Sequence, residues 1–413
     1  MLDGALQWTR LTTGPLLATG VASLVTLAAY ALLLRSLPVE DAGLFALSMA
    51  LVETLSLFGA LGQVTLITRL YSRELDDAYD WLRDLARLIL LSCGPIAIGV
   101  LVSQSFYPLS SANLLLVAAS TLLTVPVNLS ASMLNARLHH TWGALLLRLP
   151  HSLLIVPALL ATLLADFNEL NVVLSAYCLG AALIAGLSLF LLSRYLARGP
   201  RRISLRQHVE GTIFVIASSS QLLLDQGLLA IAGVFLRPAA LATFAAVAIL
   251  LRPFRLVTNI LSMILTPRFV RADRPSYARP IILVACLAGL AALFAAVATP
   301  PVADLIYGDR YTAGYGLVPW LALVGALLVI RSIPVSHMWG RAPSRYVNRV
   351  VMTESGVVVL AAVIAVLLIR SLGITGLAMG LALGHLLRAS TTFGFWRRFR
   401  RTDPSRGQPA VAI

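Results

Sequence analysis

The chain has 413 residues, of which 59% are hydrophobic and only 12% charged, with a mean hydropathy of +0.87. Soluble globular proteins carry about 25% charged residues, so this composition excludes that class and points to a polytopic membrane protein. The formal net charge of +14 would suggest a nucleic-acid partner in a soluble chain; here the basic residues are all arginine, concentrate in loops and record topology, and no nucleic acid is expected.

Apolar runs of spanning length fall near 15–35, 43–66, 88–107, 112–134, 145–165 and 170–193, then near 211–234, 239–265, 281–303, 314–335, 351–369 and 373–395. The first run is too long for a signal-peptide core and further spans follow it, so it reads as a retained span. Arginines crowd the connections after even-numbered spans, such as Arg69, Arg73, Arg83 and Arg87, or Arg194, Arg198, Arg201, Arg202 and Arg206. The connections after odd-numbered spans hold only Arg35, Arg237, Arg310 and Arg370. This alternation predicts twelve spans with both termini in the cytoplasm. The basic connection at 194–210, broken by Gly199-Pro200, then links an N-lobe (1–193) to a C-lobe (211–396), and a basic tail (397–413) has the composition of a disordered segment. Cys93, Cys178 and Cys286 lie in apolar runs without metal-ligand spacing, so no metal and no cofactor are expected.

The two halves repeat. From Phe45 and from Phe244, eight residues lead to Glu53 and Arg252, and 24 lead to Arg69 and Arg268. Six spans per half make the repeats parallel, related by a pseudo-two-fold axis along the membrane normal, an arrangement known for transporters that bind substrate between lobes.

The eighth run, 239–265, has 27 residues, or roughly 40 Å of helix against a hydrocarbon core of about 30 Å. Arg252 and Arg255 lie near its midpoint, where a cation costs at least about 2.5 kcal/mol and so should face a bundle interior or a wet cavity. Their i, i+3 spacing puts both on one face, which Asn259 and Ser262 continue. Pro253 between them predicts a bend and serves as the candidate hinge. An ion pair with Asp225 on the preceding span is the structural alternative, and such a pair also fits a gate.

Polar residues at helical spacing mark three further spans: Thr19, Ser23, Thr26 and Tyr30 on the first, Glu53, Ser56 and Gln63 on the second, Ser218, Gln221 and Asp225 on the seventh. They line one shared cavity, or the smaller ones merely bond helix to helix. Thr121, Thr124, Asn128 and Asn135 on the fourth span either extend the cavity or pack. Arg331, Glu354, His385 and Arg388 fall toward cytoplasmic ends of spans, where snorkelling to the interface is expected. Two central guanidinium groups with flanking hydroxyls and amides suit a doubly charged oxyanion such as pyrophosphate, with phosphate on a lipid the natural source.

The segments LLLRSLPVEDAGLFAL (32–47), LGQVTLITRLYSRE (61–74), FLRPAALATFAAVAILLRPFRLVTNILSMILTPRF (235–269) and IYGDRYTAGYGLVPWLALVGALL (306–328) resemble polysaccharide-biosynthesis, O-antigen-type flippases of the multidrug/oligosaccharidyl-lipid/polysaccharide exporter superfamily. The resemblance covers nearly the whole chain. It implies an all-α, V-shaped pair of six-helix lobes in the bacterial inner membrane. Such a protein moves a polyprenyl-pyrophosphate-linked oligosaccharide to the outer leaflet by alternating access, for lipopolysaccharide, O-antigen or exopolysaccharide assembly. Polysaccharide polymerase and chain-length machinery are the partners it implies, beside the glycan and the lipid bilayer. Arg252 and Arg255 match its cavity arginines by depth and would hold the pyrophosphate, with Glu53 and Asp225 as exchangeable counterions. The first span departs from a cation-rich N-lobe, because its centre is uncharged. A cation-coupled multidrug exporter of the same superfamily, with Glu53 as the coupling residue, is the alternative. A membrane enzyme polymerising or ligating lipid-linked glycans fits less well, because the outward loops are short, and no catalytic residue is expected.

Overall fold

The computed structural model describes residues 2–60, 62–73, 80–137, 139–164, 169–196, 198–200, 203–204, 207, 222–271 and 278–402. Among these residues every regular element is helical. In hydrocarbon each backbone N–H and C=O must find its partner inside the segment, and a helix does this without an edge. Among the described residues eight helices are long and apolar enough to cross a membrane, and the bent pair Pro238–Leu250 and Arg252–Thr258 makes a ninth span if taken as one. Of the expected seventh span only the part from residue 222 onward is described. Leu90, Ile98 and Leu101, Leu290, Phe294 and Val297, and Val359, Val363 and Leu367 form exposed apolar stripes that suit lipid and not water. The chain is a multi-pass membrane protein. It forms two compact units, Met1–Ala245 and Ala246–Ile413.

The first unit contains α1 (Leu2–Ser36), α2 (Val39–Gly59), α3 (Gln63–Arg73), α4 (Trp81–Phe106), α5 (Ser111–Ala136), α6 (His140–Ser152), α7 (Ile155–Leu163) and α8 (Leu170–Tyr195). A π-helical turn at Leu223–Gly227 then leads into α9 (Leu228–Phe235) and α10 (Pro238–Leu250), whose last turn belongs to the second unit. α5 is the central strut: it packs against α2, α3, α4, α6 and α8, with Val125, Val127, Leu129, Ala131 and Met133 fully buried. Its start is fixed by Ser110, whose hydroxyl accepts from the Asn113 N–H at 3.1 Å, satisfying a first-turn donor that has no helical partner.

The expected second span is divided. α2 stops at Gly59, and the chain restarts as α3 after Gly62, whose φ of +69° would cost an L side chain about 1–2 kcal/mol. The Ser92 hydroxyl of α4 donates to the Gly59 carbonyl at 2.6 Å and so caps the interrupted end. Gln63 therefore opens another helix, where it is buried, and does not continue the stripe of Glu53 and Ser56. Gly43, inside the 32–47 motif, faces the start of α10, where a Cβ would lie 1.8 Å from the Pro238 carbonyl oxygen.

The second unit holds α11 (Arg252–Arg271), α12 (Ala278–Tyr307), a 3-10 segment (Gly308–Leu317), α13 (Val318–Arg341), α14 (Ser344–Leu372) and α15 (Ile374–Thr402). Here α13 is central, packing against α11, α12 and α15. α14 and α15 form a hairpin turned at Gly373 (φ +59°), and they approach so closely that a Cβ on Gly380 would lie 2.5 Å from the Ala365 methyl. Pro253 is the second residue of α11. It has no N–H to give to the turn before it, and the chain bends by 45° there. At the break the Leu251 N–H reaches Ala248 O and the Phe254 N–H reaches Leu251 O, both at 3.2 Å, the short-range bonds of a tightened turn.

Candidate functional site

In the first unit, three helices bring ionisable side chains together at mid-span. Glu53 Oε1 on α2 lies 3.9 Å from His151 Nε2 on α6, and Tyr30 OH on α1 lies 3.5 Å from His151 Nδ1. The Tyr177 ring of α8 meets the imidazole at a tilt, with centroids 5.9 Å apart, and the Tyr30 ring meets Phe45 likewise at 5.4 Å. The Glu53 and His151 side chains keep 26% and 18% of their surface, so the pair is sheltered yet open to exchange with water or a ligand. At 3.9 Å a carboxylate and an imidazole feel each other's charge without a direct hydrogen bond. Such a pair can hold a cation.

Tyr30 and Glu53 are residues that the sequence singles out; His151 and Tyr177 are not. An ionisable side chain inside an apolar run is a functional pointer by default, and His151, between Pro150 and Ser152, carried that signal. It sits where the expected fifth span divides into α6 and α7.

The other polar residues of these spans take different places. Thr26 is spent on helix packing: its hydroxyl donates to Ala22 O at 2.8 Å and lies 3.2 Å from Ser152 Oγ, which in turn donates to Ala22 O at 3.0 Å. Ser56 is buried and bonds its own helix at Glu53 O, as Thr121 and Thr124 bond theirs at Val117 O and Ser120 O. Thr19 and Ser23 are half-buried on α1. Ser218 and Gln221 lie outside the described residues, as do the side chains of Asp225 and Asn259.

In the second unit, Arg252 and Arg255 stand in the first turn of α11, immediately after the bend, both half-buried, with Ser262 half-buried two to three turns on. Their position is set by Phe254 between them, which is buried against Gly325 of α13 so tightly that a Cβ on the glycine would lie 2.5 Å from the ring. Pro253 points outward.

Arg331, Glu354, His385 and Arg388 do not snorkel. Glu354, His385 and Arg388 are buried, and Arg331 and Arg388 both bond the Glu354 carboxylate. Mutual neutralisation inside the bundle replaces the expected escape to the interface.

Neither a protein-family model nor a curated protein matches the sequence. Solved structures do. The lipid II flippase MurJ, in its inward closed conformation, aligns with a TM-score of 0.64 at 13% identity over 92% of this chain and 86% of MurJ. An inward-facing multidrug resistance MATE family transporter of the MOP superfamily aligns at 0.62 and 15% identity, over 92% of this chain and 96% of that one. The chain has the fold of these transporters. A eukaryotic MATE transporter, AtDTX14, extends the likeness to 98% of this chain and 99% of its own at a TM-score of 0.55 and 13% identity. At such identities fold is shared and cargo is not specified, so the cargo has to be argued from side chains.

Proposed function

We propose that the chain flips a polyprenyl-pyrophosphate-linked oligosaccharide across the bacterial inner membrane by alternating access, as a step in cell-surface polysaccharide assembly. The observation that carries this reading is the pair Arg252 and Arg255, half-buried on one face at a bend within an apolar span. Guanidinium forks match phosphate oxygens two by two, and in a sheltered site each charge-assisted bond counts for more than in water. The fold shared with a lipid II flippase is compatible with a lipid-linked cargo. On this reading Glu53 and Asp225 exchange with the pyrophosphate as counterions, Pro253 lets the eighth span bend between states, and the functional lobes are 1–193 and 211–396. Polymerase and chain-length proteins would take the product.

The test is reconstitution in liposomes with a fluorescent polyprenyl-pyrophosphate oligosaccharide, following its exposure to an impermeant quencher. Losing both guanidinium groups removes charge-assisted bonds of about 1.5–3 kcal/mol each. Arg252→Ala with Arg255→Ala should therefore slow flipping at least 100-fold in a folded protein. Equal rates would make the arginines structural.

A second reading, a cation-coupled multidrug exporter, is favoured by the Glu53–His151 pair, a ready cation site in the first unit. Resistance to cationic dyes on expression, lost in Glu53→Gln, would select it.

A further inference from the structure

The buried charges of the second unit belong to no step of the reading above. Glu354 Oε2 on α14 accepts from Arg331 Nη2 on α13 at 2.6 Å and from Arg388 Nε on α15 at 3.1 Å. The Thr392 hydroxyl accepts from Arg331 Nε at 2.9 Å and donates to Glu354 Oε1. Glu354, Arg388 and Thr392 are 4%, 5% and 0% exposed, too enclosed for an interfacial salt bridge. Arg388 is the fifteenth of the 29 residues of α15, about 21 Å from either end.

Two guanidinium groups, which stay charged at any working pH, share the Glu354 carboxylate inside an apolar bundle. Arg388 Nη1 is buried without a hydrogen-bond partner among the described residues. A leftover buried donor costs about 1–3 kcal/mol. Two guanidinium groups, a hydroxyl and a spare N–H around a planar, two-oxygen anion are also the donor set that binds phosphate oxygens.

We infer that Arg331, Arg388 and Thr392 form an oxyanion site of phosphate or pyrophosphate chemistry, held shut by Glu354 as a built-in occupant. The ligand displaces the carboxylate and supplies the acceptor that Arg388 Nη1 lacks. Within the unit Phe254 packs on Gly325, and Leu265 packs against the cluster that holds Ile333 and Met338, so α11 and α13 run in the same direction. Arg331 then lies about 8 Å along that helix pair beyond Arg255. The inference goes beyond the flippase reading and does not depend on Arg252 and Arg255.

The experiment uses the full chain in detergent, with the thermal unfolding midpoint titrated by inorganic pyrophosphate and, in parallel, by geranyl pyrophosphate. Glu354→Gln removes the occupant's charge and should bind inorganic pyrophosphate at least tenfold more tightly than wild type. Adding Arg388→Gln should abolish that gain, whereas adding Arg252→Gln with Arg255→Gln should leave it, which separates this site from the flippase site. Glu354→Asp withdraws the carboxylate by one methylene and should show a smaller gain of the same sign, so a Gln variant that does not fold still leaves a test. A larger gain with geranyl pyrophosphate assigns the oxyanion to a lipid, and equal gains assign it to a free anion. No gain in either Glu354 variant, a gain that survives Arg388→Gln, or failure of both Glu354 variants to fold would each overturn the inference in favour of a structural ion pair.

Discussion

Gly325→Ala probes the contact that sets where the two α11 arginines stand. The new Cβ would meet Phe254 Cγ, Cδ2 and Cδ1 at 2.5, 2.7 and 3.0 Å, whereas carbons rest at about 3.5–4.0 Å, so the ring must retreat by about 1 Å. Phe254 is only 8% exposed and sits one residue past Pro253, so it has little room to swing aside. The first turn of α11 has to move with it, carrying Arg252 and Arg255. Overpacking of this kind costs about 1–3 kcal/mol, and the helix preference for Ala over Gly returns about 1 kcal/mol of that. Gly20→Ala, with nothing within 4 Å of its Cβ, is the control that keeps only the favourable part. In detergent, Gly325→Ala should unfold below the Gly20→Ala protein by an amount corresponding to the full steric cost of about 1–3 kcal/mol, and its transport rate should fall with it. Phe254→Leu in the Gly325→Ala background should recover part of both. A Gly325→Ala protein as stable as the control, or no recovery on shortening Phe254, would refute the claimed packing.

Three further outcomes follow from the same geometry. Gly43→Ala drives a Cβ into the Pro238 backbone, which cannot rotate away as a side chain can; a loss of about 3 kcal/mol or more is expected, seen as poor recovery of monodisperse protein in size-exclusion chromatography. Glu53→Gln and His151→Gln should each slow transport in liposomes, since each removes one side of the 3.9 Å contact between α2 and α6; wild-type rates in both would make the pair idle. Thr392→Val strips a hydroxyl from Glu354 and Arg331 inside the second unit and should lower stability by about 1–3 kcal/mol, whereas Thr392→Ser should stay near wild type.

The all-helical, multi-pass architecture was legible because hydropathy over some twenty residues is a one-dimensional signal. The bend at Leu251 was legible for a similar reason: Pro253 announces a missing donor in its own residue type. The interruption at Gly59–Gly62 was not, because it depends on the Ser92 hydroxyl of another helix reaching the freed carbonyl. Tyr30 and Glu53 stood out by helical spacing, but spacing names a face without naming what it meets; His151 arrives from α6, and Thr26, on the same stripe as Tyr30, is absorbed by Ser152. Arg331, Glu354 and Arg388 were misread because each, taken singly, lies nearer an arginine-rich loop than the span's far end. Only the packing of α13, α14 and α15 supplies the partners that make burial cheaper than snorkelling.

The two functional readings make different demands on the two units. Switching requires a cargo whose affinity differs between conformations, because one bound equally well in both shifts nothing. A cationic drug finds its complement at Glu53 and His151, whereas the second unit offers it the arginines Arg252 and Arg255. An anionic pyrophosphate finds the reverse. On the flippase reading, a pyrophosphate leaving the cytoplasm would carry negative charge down an inside-negative potential, worth about 2.3 kcal/mol per charge per 100 mV, whereas an exporter of cations would work against that potential and would need an opposing ion gradient to couple to.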